Sequence, residues 1–330
     1  MEDRTLKNVI LPHQDLPGTR IALLYETNAR VKRGLKHNIT DVFYQDVEYI
    51  ANTYFDNPNY YRIDNRPVMF VYLTRVLHRE GSLEMITSQM RQAAMDNGGH
   101  DLYIIGDQVM SSAPSNGKTY EPFDLLDAVT NYDIYGNLGR PSGYAGMNRL
   151  TNLATRNRQW KEETRRHGDC SFIPAVSPGY NDRGVRHEKN HPALSRKLCE
   201  TCEEGSLFRT SIQKSLDLTD ESANRLLMVT SWNEWHEDTQ IEPTVSIGQT
   251  NQPMNMTCYG NLCSKALTYD GYETLYLDIL KEETAINRGK ENEFIWPVIT
   301  DSPTYATTTS IPTYSPSRVN NMTNSNDGLI

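Results

Sequence analysis

The sequence predicts an α/β protein built on a parallel sheet that curves toward a barrel, and three observations predict it. Short apolar runs alternate with amphipathic stretches six times between Ile21 and Glu283, the pattern of strands joined by crossover helices. Polar and aromatic residues recur directly after these runs, as one shared rim at the strands' C-terminal ends demands. No glycine-rich phosphate fingerprint follows any strand, which removes the signature of a doubly wound nucleotide-binding sheet.

In chain order, Ile21 to Tyr25 follows a Pro17-Gly18 turn as the first strand and ends in Glu26. Val47, Ile50, Ala51 and Tyr54 then mark one face of a helix, with Asn38 or Thr40 as its N-cap. Val68 to Leu73 is nearly continuous in apolar character, as a parallel strand buried on both faces should be. Leu83, Ile86, Met90, Ala93 and Ala94 keep helical spacing until Gly98-Gly99. Leu102 to Gly106 and Asp127 to Tyr135 read as the next strands, followed by a long helix from Met147 to about His167. Phe172 to Val176 is the fifth strand, Phe208 to Leu216 a helix, and the apolar run from Leu226 the sixth strand. A last helix spans about Tyr272 to Glu283.

Composition narrows the function classes. A chain of 330 residues suits a single barrel or two smaller domains. Its net charge of −9 argues against nucleic acid and anionic membrane surfaces as partners. The densest basic cluster, Arg30, Lys32, Arg33 and Lys36, reads as a solvated loop. No apolar run approaches the ~18–20 residues of a membrane span, and the N-terminus lacks the apolar core of a signal peptide. Asn-x-Ser/Thr sequons stand at Asn38, Asn255 and Asn321. Cys199 and Cys202 form one local pair and Cys258 and Cys263 another, open to reading as disulfides, a four-cysteine metal site or unrelated thiols. Sequons and cysteine pairs lean to the secretory pathway, Golgi or secreted, with the cytoplasm as the alternative. From about residue 298 the chain is rich in Thr, Ser, Pro and Asn. A barrel domain over 1–297 and a disordered tail over 298–330 are therefore expected.

The sixth strand spills into Ser231-Trp232-Asn233-Glu234-Trp235-His236-Glu237-Asp238-Thr239-Gln240-Ile241-Glu242-Pro243. Glu234 and Glu237 are three apart, so one turn sets both carboxylates on the same side. Two close carboxyls repel, which favours one protonated and one ionised, as glycosidic cleavage requires. Exposed indoles beside acids suit stacking on sugar rings, and 19 Tyr offer further amphipathic faces. The competing reading is a solvated acidic loop with its Trp packed on the rim. His236-Glu237 begins like a zinc-protease helix, but Gln240 stands where the second His is required. Gly117-Lys118-Thr119 resembles the end of a phosphate loop, yet Ser112 replaces the leading Gly. No Gly-x-Ser-x-Gly elbow is present.

This motif resembles glycoside hydrolase family 99, the endo-acting α-mannosidases and α-mannanases with related proteins of bacterial surface-polysaccharide clusters. A second match is Val176-Ser177-Pro178-Gly179-Tyr180-Asn181-Asp182 with Arg186 downstream, similar to the family's Pro-Gly-Tyr loop and substrate-binding Arg. Glu26, Tyr72 and Tyr132 match sugar-contacting positions at earlier strand ends. The resemblance covers roughly Ile21 to Pro243 and implies a (β/α)8 TIM-type barrel. Only six units are visible, the first on the family's third strand, so the barrel is expected to be incomplete with its first two strands missing. Leu24 stands where the mannosidases carry a His, and Asp238 where a Gly is common.

By the resemblance, Glu237 is the acid/base, and Glu234 is a base on the substrate's 2-hydroxyl, giving a 1,2-anhydro sugar and overall retention. Trp232, Trp235, His236, Tyr72, Tyr132, Tyr180, Arg186 and Glu26 are the expected substrate contacts. The implied protein is a monomeric, retaining, endo-acting hydrolase of α-mannosidic or related bonds in an oligosaccharide or polysaccharide, needing no metal or cofactor. Two alternatives stand beside it. One is a non-catalytic carbohydrate-binding remnant, and the other a protein associated with polysaccharide-biosynthesis glycosyl transfer.

Overall fold

Six short strands run parallel and follow one another in the order of the chain. A computed structural model describes residues 2–12, 18–27, 41–110, 113, 122–138, 143–167, 169–182, 185–186, 191, 193–244, 256–259, 262–265 and 271–286. The strands are β1 (Leu23–Tyr25), β3 (Arg66–Val71), β4 (Tyr103–Asp107), β5 (Ala128–Thr130), the broken strand β6 (Ser171–Phe172) and β7 (Ala175–Val176), and β8 (Met228–Val229). Each pairs in parallel with its predecessor: Leu24 lies opposite Phe70, Met69 opposite Ile104, Gly106 opposite Val129, Val129 opposite Phe172, and Val176 opposite Val229. A doubly wound sheet would reverse its strand order part-way, so the architecture is of TIM-barrel type, as expected. Among the described residues no ladder joins β1 to β8, and the arc stays open.

Pleat alternation sorts the side chains onto two faces. Met69, Val71, Ile104, Val129 and Phe172 point outward into the main core. There they meet Val47 and Phe43 of α2 (Val42–Ile50), Ile86 and Met90 of α4 (Leu83–Asp96), and Trp160 of α6 (Gly146–Arg166). Val68, Tyr103, Ile105, Ala128 and Ile173 point inward, packed with the partly buried Phe70, Leu226 and Met228. A small depression lies on this concave face, lined by residues from Leu24 of β1 to Met228 of β8. Leu24 itself is 53% exposed, because nothing described covers it on the open side.

Two expected strands differ in extent. The run Asp127 to Tyr135 is extended only over Ala128–Thr130, because the Tyr132 N–H turns aside to Asp107 Oδ1 at 3.0 Å. The next residues form α5 (Ile134–Leu138). Phe172 to Val176 is interrupted at Pro174, which has no N–H for the ladder, although its carbonyl still accepts from Met228 N at 2.9 Å. Several short elements escaped the sequence reading, three of them in the first part of the chain. Those three are α1 (Glu2–Thr5) with its π-helical continuation, α3 (Thr74–Arg79), and β2 (Arg62–Ile63), which hairpins onto β3. That hairpin turns at Asp64 and Asn65, both at positive φ, as two-residue hairpin loops require.

The last layer is α7 (Ser206–Leu216) against α8 (Leu275–Ile286), where Phe208, Ile212, Tyr276 and Ile279 bury Val176 and Ile241. Met256–Tyr259 and Leu262–Lys265 pair as an antiparallel hairpin in which Cys258 and Cys263 are register partners. Cys199 and Cys202 form a disulfide, so they are not free to ligate a metal. The basic cluster at Arg30 to Lys36, the three sequons, Gly117-Lys118-Thr119 and the tail from 298 lie outside the described residues. The chain divides into Met1–Asn292 and Glu293–Ile330. No helix among the described residues is long and apolar enough to cross a membrane.

Candidate active site

Backbone hydrogen bonds close the loop after β8 into a tight turn. Ser231 N donates to Thr239 O at 2.9 Å, Ile241 N to Ser231 O at 3.1 Å, and Glu242 N to Trp232 O at 2.9 Å. Glu234 caps a single 3-10 turn, Trp235–Glu237, and its carboxylate accepts from His236 N at 3.1 Å. Ser231 Oγ takes the Glu234 N–H at 2.9 Å and meets Thr239 Oγ1 at 2.8 Å. A single turn therefore links the two acids.

Glu237 is the better enclosed of the two, its side chain 14% exposed against 40% for Glu234. Its Oε1 takes Arg186 Nη1 at 2.7 Å, its Oε2 lies 3.4 Å from Tyr135 Oη, and its carbonyl accepts from Asn181 N at 2.7 Å. Arg186 also reaches Asp182 Oδ2 at 3.0 Å and Tyr180 Oη at 3.4 Å. Hydrogen bonds to Asp182 and Glu237 hold its guanidinium firmly charged. Tyr180 stacks on Tyr135 with centroids 3.8 Å apart and planes 6° apart. Glu237, Arg186 and Tyr180, predicted from separate motifs, thus meet in one cluster.

Beneath it, buried charges tie the strand ends together. Asp107 accepts from Leu73 N at 3.1 Å and Tyr132 N at 3.0 Å and pairs with Arg75. Arg75 also pairs with Asp133, whose Oδ1 accepts the Tyr135 hydroxyl at 2.9 Å. A charge taken out of water costs several kcal/mol unless it is paired and hydrogen-bonded, and both conditions hold here. Burial pushes Asp107 up despite Arg75. Burial, then the charges of Glu237 and Glu234, push Tyr132 up to about 12. Tyr72 packs edge-on against Tyr132 at 5.1 Å, and Glu26 is exposed, one residue after β1.

Other expected contacts stand on the outer rim. Trp232 and Trp235 are 51% and 48% exposed, and Trp235 Nε1 donates to Glu242 Oε2 at 3.1 Å. His236 points to solvent, its Nδ1 3.6 Å from Glu234 Oε1. Tyr135, Asp133 and Asp182 line this cluster and were not among the expected site residues. Tyr135 was hidden in a segment read as strand, although its place one turn after a strand end was the available signal. Among the described residues no group of three or more His, Cys, Asp or Glu is placed to hold a metal ion.

The chain is similar to known proteins. The sequence profile of Glycosyl hydrolase family 99 matches residues 31–266. A glycoprotein endo-alpha-1,2-mannosidase-like protein of Mus musculus is 25% identical over 214 residues, covering 61% of this chain and 40% of the relative. A glycoprotein endo-alpha-1,2-mannosidase of the same species is 24% identical over 209 residues, covering 61% and 39%. The chain thus spans about 40% of the length of these curated relatives. Among solved structures, the GH99 endo-alpha-mannosidase of Bacteroides thetaiotaomicron superposes with a TM-score of 0.52 at 19% identity, over 84% of this chain and 74% of that one. At that identity the likeness speaks for the fold alone.

Proposed function

Because the chain belongs to glycosyl hydrolase family 99, we propose that it is a retaining, endo-acting glycoside hydrolase of α-mannosidic or related bonds, with Glu234 and Glu237 as its catalytic pair. The observation that carries this reading is the Glu237 carboxylate, enclosed at the strands' C-terminal rim by Arg186 and Tyr135, one turn from Glu234. In the proposed reaction Glu234 accepts the proton of the sugar's 2-hydroxyl as that oxygen attacks the anomeric carbon. The glycosidic bond breaks, and Glu237 gives its proton to the departing oxygen. Arg186 on Oε1 then stabilises the carboxylate left behind. Water opens the 1,2-anhydro sugar, passing a proton to Glu237 while Glu234 returns its own to O2, so the anomeric configuration is retained. Tyr132, Tyr72, Trp232 and Trp235 supply faces for the sugar rings, and Glu26 and His236 supply polar contacts. The expected contact Tyr180 is 6% exposed and stacked on Tyr135, so it orders the cluster instead. No metal or organic cofactor enters this scheme. The Cys199–Cys202 disulfide fits an oxidising compartment such as the secretory pathway.

A second reading, a carbohydrate binder without turnover, is favoured by the open arc and the exposed Leu24. Incubation with α-mannan and manno-oligosaccharides separates the two. The chain should release internal fragments visible by chromatography, and Glu237→Gln and Glu234→Gln should each lower kcat/KM by about 10²–10⁴-fold. Binding without fragments in the unsubstituted chain sinks the hydrolase reading. Turnover only with a nucleotide sugar would point to glycosyl transfer.

A further inference from the structure

One buried cation lies under both arms of the site. Arg196 is 3% exposed. Its Nη2 donates to Asp238 O at 3.1 Å, to Asp238 Oδ1 at 3.2 Å and to Gln240 O at 2.9 Å, all immediately after Glu237. The guanidinium carbon lies 5.1 Å from the ring centre of Tyr272 and 4.8 Å from that of Tyr276, close enough for cation–π attraction. The Tyr276 hydroxyl in turn donates to Glu204 Oε1 at 2.5 Å. Two residues upstream of Arg196, Leu194 exchanges backbone hydrogen bonds with Tyr180 at 2.9 and 2.7 Å. Gly179 makes room for this crossing, since a Cβ there would lie 2.8 Å from Arg196 Cγ and 3.0 Å from Leu194 O. The segment 194–196 therefore grips the loop of Tyr180 and Arg186 with its backbone and the turn of Glu237 with its side chain.

Asp238 is the point where this grip can be varied. It adopts φ 54°, a left-handed conformation that Gly, Asn and Asp reach more easily than other residues. Its backbone follows Glu237 directly, so any drift of Asp238 moves the carboxylate. A misplacement of about 1 Å can cost on the order of 10²-fold in rate.

We propose that Arg196 is a positioning residue which, through Asp238 and Gln240, fixes the Glu237 carboxyl against the oxygen of the departing sugar. The proposal rests on the assignment of Glu237 as the acid. It assigns Arg196 no contact with substrate.

The test uses the full chain with Asp238→Gly, Asp238→Asn and Arg196→Lys. Asp238→Gly keeps the backbone conformation accessible and removes the carboxylate contact. Asp238→Asn keeps an oxygen acceptor and should restore the contact. Arg196→Lys replaces the planar fork by a single ammonium that cannot reproduce it.

The first readout is amide hydrogen exchange, which needs no substrate. Exchange across 231–241 should quicken by about 10-fold in Asp238→Gly and Arg196→Lys, while the amides of β3 and β4 stay as in the unsubstituted chain. Asp238→Asn should stay within about three-fold of the unsubstituted chain. The second readout compares two α-mannosyl substrates, one whose leaving group is a sugar hydroxyl that must be protonated and one whose leaving group is fluoride, which needs far less help. Asp238→Gly should lower kcat/KM, which reports the bond-breaking step, about 10-fold on the first and under about three-fold on the second.

Unaltered exchange in both Asp238→Gly and Arg196→Lys overturns the proposal, and so do equal losses of kcat/KM on both substrates. If Arg196→Lys does not fold, Asp238→Gly carries both readouts. If the unsubstituted chain cleaves neither substrate, the hydrolase reading falls, and exchange alone decides whether Arg196 holds the turn.

Discussion

Asp182 shows how much of the site depends on one buried carboxyl. It is 1% exposed and accepts Arg186 at 3.0 Å, with His191 Nδ1 2.6 Å from the same oxygen. Burial alone would raise its pKa. Hydrogen bonds from Arg186, His191 and Tyr180 outweigh burial and hold it below the ordinary 3.8. A depressed carboxyl contributes stability that is complete above the unfolded value and lost as the pH falls through the folded value. Asp182→Asn should therefore lower the urea midpoint at neutral pH, and the gap to the unsubstituted chain should close below about pH 3.8. A gap that persists at lower pH would show that the loss is one of packing. At this scale the sequence was readable where residues sit in contiguous motifs, as do Glu234, Glu237, Tyr180 and Arg186. Tyr135 meets Glu237 across a separation of 102 residues, and Arg196 meets Asp238 across 42. No local spacing encodes either encounter.

At the scale of elements, apolar runs marked the strands because both faces of the sheet are buried. Val68, Met69 and Val71 of β3 are all under 2% exposed. What the runs did not mark is where pairing stops. β5 ends at Thr130 because Asp107 captures the Tyr132 amide, and β6 and β7 separate at Pro174. Gly106 in β4 illustrates a further element-level constraint. A Cβ there would lie 2.6 Å from Leu126 Cδ1 and 2.8 Å from Thr74 Oγ1, so the outer face accepts the α3 side chain only while position 106 is bare. Gly106→Ala should cost about 1–3 kcal/mol by overpacking, read from chemical denaturation. A cost below about 0.5 kcal/mol would mean that Leu126 swings clear, its contact being a flexible terminus.

For the whole molecule, alternation predicted the number and order of the strands, and these are the features a crossover topology dictates. Alternation carries no term for curvature or closure, so the lack of a β1–β8 ladder among the described residues was legible only through the family resemblance. The open side has an energetic signature. Leu24→Ala, at a half-exposed position, should cost under about 1 kcal/mol, and Ile105→Ala, deep on the same concave face, about 2–5 kcal/mol. Equal costs in urea melts would mean that Leu24 is covered in solution. Catalysis on such an arc requires that the rim, which carries Glu26, Tyr72, Tyr132, Tyr135, Arg186 and the Glu234–Glu237 turn, bind a sugar from its closed side. The most direct test is a proton NMR time course of α-mannan digestion by the unsubstituted chain, Glu234→Gln and Glu237→Gln. Glu234 and Glu237 as a retaining pair predict that the α-anomer of the new reducing end appears first, and that neither variant produces it. First appearance of the β-anomer, or undiminished digestion by both variants, would contradict the account.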